Sequence, residues 1–285
     1  MVVEGTWAPG ARCDIFEGGL RGGESPMAEF VSYPEGTPNW VDLATTDVEG
    51  AALFYRRLFG WTTELAPLTR DVTYTMCLLR GRPVAAVFPL DPAAVAAGAP
   101  SHWTTCIGTA DADDAILRVE KAGGSVVGPP LAGRLGRRVA VQDADGAFFA
   151  LWEPRSHAGS AWANEPGSFT WNELQTHDIV GAEEFYRDVL DWDVASIPTP
   201  TGSSYHVFRR GGRDVAGMMA IDPRWGPVPP HWGVYFAVDD CDAAAGEAHD
   251  LGGTIDVKPM PIGESGRISM VRDPQGAHLW LSAGM

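Results

Sequence analysis

Two short runs in this chain place a carboxylate two residues after an indole. Trp40 and Asp42 stand in Asn39-Trp40-Val41-Asp42-Leu43, and Trp171 and Glu173 in Thr170-Trp171-Asn172-Glu173-Leu174, with Gln175 next in the series. If these runs are strands, side chains two apart share a face. An indole offers flat apolar area, and a carboxylate beside it offers a directional hydrogen bond or a general base. Two more runs, His102-Trp103-Thr104-Thr105-Cys106 and His231-Trp232-Gly233-Val234-Tyr235, set His102 with Cys106 and His231 with Tyr235 by the same parity. His278 and Trp280 make a further pair. Aromatic walls with a few convergent polar groups suit a small-molecule pocket. Asp42, Glu173 and His231 are therefore the candidate catalytic groups. Trp40, Trp171, His102, Tyr235, His278 and Trp280 are the candidate ligand contacts.

Each of these residues also has a plainer reading. Trp40 and Trp171 serve equally well as core. An inward carboxylate must find a partner or shift its pKa, and a bond to a backbone N–H would satisfy Asp42 or Glu173 without any chemistry. His102 follows Pro100-Ser101 and His231 follows Pro229-Pro230, which suits a capping or rim role at a strand start. His278 has Phe148 as its counterpart, so its chemistry belongs to one half only or to none. Arg137 and Arg267 precede closing strands, where they would clamp a ligand anion or lie solvated.

The elements that position these residues are written twice. Phe54-Tyr55-Arg56 returns as Phe185-Tyr186-Arg187, His102-Trp103 as His231-Trp232, and Asp143-Ala144-Asp145-Gly146-Ala147 as Asp273-Pro274-Gln275-Gly276-Ala277. A spacing of about 130 residues is too long for a solenoid and right for a duplicated domain. In each half a strand leads to an Asp, 47 or 178, placed to cap a helix. That helix carries Ala51, Phe54, Tyr55 and Leu58, or Ala182, Phe185, Tyr186 and Val189, at helical spacing. β-rich runs follow, and then the pattern restarts at His102 and His231, with helices over 111–122 and 240–251. The expected architecture is α+β, with each half holding two βαβββ units. The expected divisions are an extension over 1–36, a first module over 37–153, a linker over 154–168 and a second module over 169–285. Pro154, Gly159, Pro166 and Gly167 punctuate the linker. Met27 is an alternative start, with 1–26 a tail or loosely docked extension.

At 285 residues, each half is long enough to bury a core. The formal net charge of −16 argues against nucleic-acid or anionic-membrane partners, whose phosphates would be repelled. No apolar run approaches the roughly 18 residues of a membrane span, and Met1 to Gly10 lacks the pattern of a secretory signal. Cys13, Cys77, Cys106 and Cys241 show no metal-like spacing and do not recur between halves. Reduced thiols in the cytoplasm are the expectation. The expected partner is a small, aromatic molecule, with the protein itself a monomer or homodimer.

The order T-D-x-x-x-A-x-x-F-Y-x-x-x-x-x-W, then A-V-D-D-x-D-A, then D-P-x-G-A-x-x-x-L resembles the vicinal oxygen chelate superfamily. This is the group of glyoxalases, bleomycin-resistance proteins and extradiol dioxygenases. The resemblance covers 37–285 in two copies and is nearest to tandem-module actinobacterial glyoxalase-like proteins. It implies open, concave half-barrel sheets around a pocket. It also implies metal ligands at set positions, and these fall on Trp40, Thr104 and Ala150 in the first half and Trp171, Gly233 and Trp280 in the second. Indole nitrogen has no lone pair to give, and Ala and Gly offer no side-chain donor. The expectation is no metal and no cofactor at those positions.

Two functions compete. One is a metal-free pocket that binds an aromatic or polycyclic molecule in a resistance or natural-product role. The other is a glyoxalase-like lyase, isomerase or oxygenase. It would use Asp42 or Glu173 as base, or a displaced metal set of Glu173, His231 and His278 with a two-His-one-carboxylate composition. A structural or signalling role has no positive signal.

Overall fold

The computed structural model describes residues 30, 32–198, 204–263 and 266–284. Most of the N-terminal extension, including Cys13 and Met27, lies outside the described residues. The first unit runs β1 (Pro38–Thr45), α1 (Val48–Phe59), β2 (Thr62–Pro67), β3 (Thr73–Leu79) and β4 (Arg82–Pro89). A short helix, α2 (Pro92–Ala96), leads to the second: β5 (His102–Gly108), α3 (Ala112–Lys121), β6 (Ser125–Val126), β7 (Leu131–Ala132), β8 (Gly136–Gln142) and β9 (Phe148–Pro154). The third holds β10 (Phe169–Thr176), α4 (Ile179–Leu190), β11 (Asp193–Pro198), β12 (Ser204–Arg210) and β13 (Arg213–Ala220). The fourth holds β14 (His231–Ala237), α5 (Cys241–Asp250), β15 (Thr254–Ile262), β16 (Gly266–Arg272) and β17 (His278–Ala283). No helix among the described residues is long and apolar enough to cross a membrane.

Each module forms one open sheet of mixed strands. The orders are β2-β3-β4-β1-β5-β9-β8-β6, with β7 on β8, and β11-β12-β13-β10-β14-β17-β16-β15. The first strands of the two units in a module are thus central neighbours. β1 lies antiparallel to β5, with Trp40 opposite Cys106 and Asp42 opposite Thr104. β10 lies antiparallel to β14, with Trp171 opposite Tyr235, Glu173 opposite Gly233 and Gln175 opposite His231. The helices start where the sequence supplies a cap. Asp47 accepts from Gly50 N–H and Asp178 from Gly181 N–H, satisfying a free donor of the first turn. α1 ends on Gly60 at φ 71, whereas α4 ends on Asp191 at φ 59, a left-handed position that costs an Asp more than a Gly.

The helices cover one face of each sheet, and the cores on that side are shared crosswise. One joins Phe54, Tyr55, Phe59 and Trp61 of the first unit to Phe236, Ala245, Val271 and Leu281 of the fourth. The other joins Ile107, Val119 and Phe149 of the second unit to Phe185, Tyr186, Trp192 and Trp232 of the third. Trp61 Nε1 donates to Gly167 O at 2.7 Å, and its counterpart Trp192 Nε1 donates to Gly36 O at 2.6 Å. The segment between the sheets is packed rather than loose: His157, Ser160, Ala161 and Ser168 are buried, and Ser160 N–H bonds Asn39 O.

The candidate ligand faces

Residues of even number on β1, β5, β8 and β9 meet on the helix-free face of the first sheet. Trp40, Ala44, Cys106, Ala150 and Trp152 gather there with Tyr74, Met76, Phe88, Leu68 and Leu135. Asp42 sits in this cluster fully buried, and its charge is matched. Arg138 Nε donates to Asp42 Oδ2 at 2.8 Å and Arg138 Nη2 to Oδ1 at 3.0 Å. Tyr74 Oη donates to Oδ2 at 2.7 Å, Cys106 Sγ lies 3.6 Å from it, and Arg138 also reaches Thr104 Oγ1 at 3.2 Å. Burial is the largest single influence on Arg138 and opposes its charge, but Asp42 and the other neighbours together outweigh it and the guanidinium stays protonated. Phe88 stacks under that guanidinium at 5.5 Å.

The first face is sealed as well as filled. Leu68 and Leu135 cover it from the loops after β2 and before β8, and both are buried. The two loops touch so closely that a Cβ at Gly133 would run into Leu68 O. At the far end His157 packs edge-on against Trp40, ring centroids 4.3 Å apart, and against Trp152 at 5.7 Å. Burial pulls His157 down to about 4, so the ring is neutral. Trp40 Nε1 and His157 Nε2 are buried without a hydrogen-bond partner. His102, at the other end, donates from Nδ1 to Pro100 O at 2.9 Å and lies edge-on to Phe148 at 5.2 Å.

The second face is built on the same plan with different contents. Position 268, the counterpart of Arg138, is Ile; position 235, the counterpart of Cys106, is Tyr; position 280, the counterpart of Ala150, is Trp. Glu173 is 5% exposed. Tyr235 Oη donates to its Oε1 at 3.0 Å and Gln175 Nε2 to the same oxygen at 3.4 Å, while Tyr205 supplies another side-chain hydrogen bond. Trp171 Nε1 in turn donates to Tyr205 Oη at 3.0 Å. Among the described residues no Lys, Arg or His pairs with Glu173. Burial pushes the Glu173 carboxyl above its ordinary value, against the three donors that pull it down.

Aromatic rings surround this carboxyl. Tyr235 and Trp280 stack with centroids 5.2 Å apart and planes 5° apart. Two glycines make the room. A Cβ at Gly217 would run into Tyr205 Oη and lie 2.7 Å from Trp171 Nε1, and one at Gly233 would lie 3.3 Å from the Trp280 indole. Trp171, Tyr205, Met219, Met270 and Trp280 all keep partial exposure, where Trp40, Tyr74 and Ala150 of the first face have none. The sequence positions matching Leu68 and Leu135 are 199 and 265, which lie outside the described residues.

His231 and His278 stand at the edge of the second face. His231 Nδ1 lies 2.9 Å from Pro229 O, and a carbonyl only accepts, so Nδ1 carries the proton and Nε2 keeps its lone pair. Burial and then His278 hold His231 below its ordinary value, against the Pro229 bond. His278 is exposed and faces Asp256, Nε2 to Oδ2 3.2 Å, beside Arg272 on the same carboxylate at 3.1 Å. The displaced set of Glu173, His231 and His278 is not gathered: no group of three or more His, Cys, Asp or Glu side chains among the described residues is arranged to hold a metal. The positions 40, 104 and 150, and 171, 233 and 280, present Trp, Thr and Ala, and Trp, Gly and Trp. Those donor sets do not fit a divalent metal.

Sequence reasoning missed Arg138, Tyr74, Tyr205 and His157. The signal for Arg138 was a mismatch between repeats, Gly136-Arg137-Arg138 against Gly266-Arg267-Ile268. The arginines that sequence did single out turn to helix acids: Arg137 Nη2 bonds Asp113 at 2.6 Å and Arg267 Nε bonds Asp242 at 2.5 Å. Two surface depressions, of about 80 Å³ beside Asp143 and Asp178 and about 170 Å³ beside Tyr33 and Asn39, include neither Asp42 nor Glu173. Both fall short of the roughly 300 Å³ that a drug-sized ligand fills.

Comparison with known proteins agrees with the duplicated plan. Residues 37–151 and 168–281 each match the model of the Glyoxalase/Bleomycin resistance protein/Dioxygenase superfamily. The chain is 40% identical over 253 residues to the putative glyoxylase CFP32 of Mycobacterium tuberculosis, covering 88% of this chain and 96% of that one. It is 36% identical over 256 residues to the anthracycline biosynthesis protein DnrV of Streptomyces peucetius, covering 86% and 92%. Among solved structures it resembles the Mn(II)-bound glyoxalase from Novosphingobium aromaticivorans, with TM-score 0.57, 17% identity and coverage of 87% and 82%. It also resembles the 2,3-dioxygenase LapB from Pseudomonas sp. KL28, with TM-score 0.58, 15% identity and coverage of 90% and 93%.

Proposed function

The chain belongs to the Glyoxalase/Bleomycin resistance protein/Dioxygenase superfamily, and from that premise we propose that its second module binds an aromatic small molecule on the open face around Glu173. The observation that carries this reading is the ring of Trp171, Tyr205, Tyr235 and Trp280 about one buried carboxyl, on a face that keeps partial exposure. Stacking on such rings contributes about 0.5–1.5 kcal/mol beyond burial, and Glu173 orients whatever polar group the ligand carries. The family-standard metal positions take no part. The first module, with its carboxylate paired to Arg138 and its face sealed, serves as scaffold. Natural-product handling is the setting, in line with the similarity to an anthracycline biosynthesis protein of Streptomyces peucetius.

A second reading adds proton transfer on the same face. Burial raises the Glu173 carboxyl above its ordinary value, and His231 keeps Nε2 free to accept a proton. The test for both begins with mass spectrometry of small molecules that co-purify with the protein. An aromatic compound retained by the wild type and released by Trp280→Ala supports the binding reading. Its chemical change during incubation adds the enzymatic one. Retention that survives both Trp280→Ala and Trp171→Ala places the ligand elsewhere and overturns the assignment.

A further inference from the structure

The two faces are copies of one plan, so each position in one serves as a control for the other. In the first, Asp42 is held by a bidentate guanidinium from Arg138, with Phe88 beneath that cation at 5.5 Å. In the second, Glu173 takes the place of Asp42, Ile268 takes the place of Arg138, and the aromatics are rearranged: Trp40, Tyr74, Phe88 and Trp152 of the first face give way to Trp171, Tyr205, Tyr235 and Trp280 of the second. Among the described residues the internal cation is missing from the second face and the carboxyl is kept.

We propose that the missing cation comes with the ligand: the second face recognises an organic ammonium group attached to an aromatic body, and that ammonium lies where the guanidinium lies in the first module. This rests on the binding reading above and narrows its ligand class. A buried carboxylate without a counter-ion is costly, and bringing in a positive charge offsets that cost. Electron-rich ring faces attract the same charge, most strongly when water is displaced. Tyr235 remains a protonated donor to Glu173 and Tyr205 adds a side-chain hydrogen bond, so they hold its oxygens in place without neutralising it.

The experiment uses the full chain and two probes of one shape, 2-phenylethylammonium and 2-phenylethanol, with affinities measured by ligand-observed NMR and calorimetry. The ammonium should bind at least about tenfold tighter than the alcohol. Glu173→Gln should abolish that preference, bringing the affinity for the ammonium down to that for the alcohol. Ile268→Arg should abolish it too, by supplying the cation internally as the first module does. Because Arg at 268 is bulkier than Ile, the melting temperature of each variant is recorded, and Glu173→Gln, which keeps the shape, carries the decision if Ile268→Arg misfolds. Equal binding of the two probes to the wild type overturns the ammonium inference and leaves the aromatic face standing. A preference that survives Glu173→Gln also overturns it, since the charge is then sensed elsewhere on an acidic surface. Binding of neither probe overturns both the inference and the face.

Discussion

Tyr55 Oη donates to Asp273 Oδ2 at 2.9 Å across a separation of 218 residues, and Tyr186 Oη repeats the bond to Asp143 Oδ2 at 2.9 Å. Each phenol also accepts from an indole, Trp103 Nε1 or Trp232 Nε1, at 2.9 Å. The two most visible sequence landmarks, the Phe-Tyr pair and the Asp-x-x-Gly-Ala turn, are therefore partners of one another, always across modules. The Asp does double work: Oδ1 of Asp143 accepts from the N–H groups of Asp145, Gly146 and Ala147 and shapes the turn. Tyr55→Phe and Tyr186→Phe should each lower stability by about 1–3 kcal/mol, because a buried carboxylate oxygen loses its donor. Urea unfolding measures this; an unchanged midpoint in either variant would remove the crosswise bond from the account of stability.

The two carboxylates should respond in opposite ways to loss of charge. Asp42→Asn leaves the Arg138 guanidinium buried without its anion, a loss of about 3–5 kcal/mol. Glu173→Gln removes a charge that has no cation and keeps an oxygen for Tyr235, so at pH 7 its stability should stay within about 0.5 kcal/mol of the wild type or rise. Ligand affinity should show the reverse order, falling in Glu173→Gln only. Comparable loss of melting temperature in both variants, with no effect on binding, would make both carboxylates structural.

Acid sensitivity should trace in part to His157. Its folded-state pKa lies near 4 against an ordinary 6.5. As pH falls below about 6.5 the unfolded chain takes up this proton first, so stability is lost between about 6.5 and 4 and the loss levels off below that. The full effect is on the order of 3 kcal/mol. Burial lowers His102 and His231 in the same sense and raises Asp143, Asp273 and Glu173 in the opposite one. The difference between wild type and His157→Phe isolates the term, since Phe keeps the edge contacts with Trp40 and Trp152. Parallel stability curves for the two proteins from pH 7 to 4 would contradict it.

Gly217 should be needed for the ligand more than for the fold. A Cβ there meets Tyr205 Oη and Trp171 Nε1, so Gly217→Ala displaces two rings of the face while the helix-side core is untouched. Affinity for an aromatic ligand should fall about tenfold, in step with one lost stacking contact. Titration calorimetry decides it; unchanged affinity would take Tyr205 and Trp171 out of the site.

How far the sequence could be read follows from where each signal was local. The four longer Asp-capped helices, α1, α3, α4 and α5, and the central strands were legible because each carries its pattern within about ten residues. β2 and β11 were harder, since they are sheet edges with little buried surface and so carry no alternation. In the faces, Trp40, Asp42, Trp171 and Glu173 were legible from strand parity. Arg138 was not: Arg137 and Arg138 stand side by side, and which one turns inward depends on the register with β9, where Arg138 lies opposite Trp152. The hydroxyls of Tyr55 and Tyr186 read as core aromatics because their acceptors lie in the other half of the chain. The sealing of one face depends on Leu68 and Leu135, loop residues with no periodicity to mark them.

The crosswise cores also set a timetable for synthesis. The first of the described helices to leave the ribosome, α1, packs against β14, α5 and β17, which are made much later. The second unit and the third, by contrast, follow one another directly and share a core of their own. The middle of the chain can therefore close on itself while its N-terminal unit still waits with Phe54, Phe59 and Trp61 uncovered. A nascent chain stalled after the third unit would display that apolar surface, and chaperones would meet this protein from its beginning rather than its end.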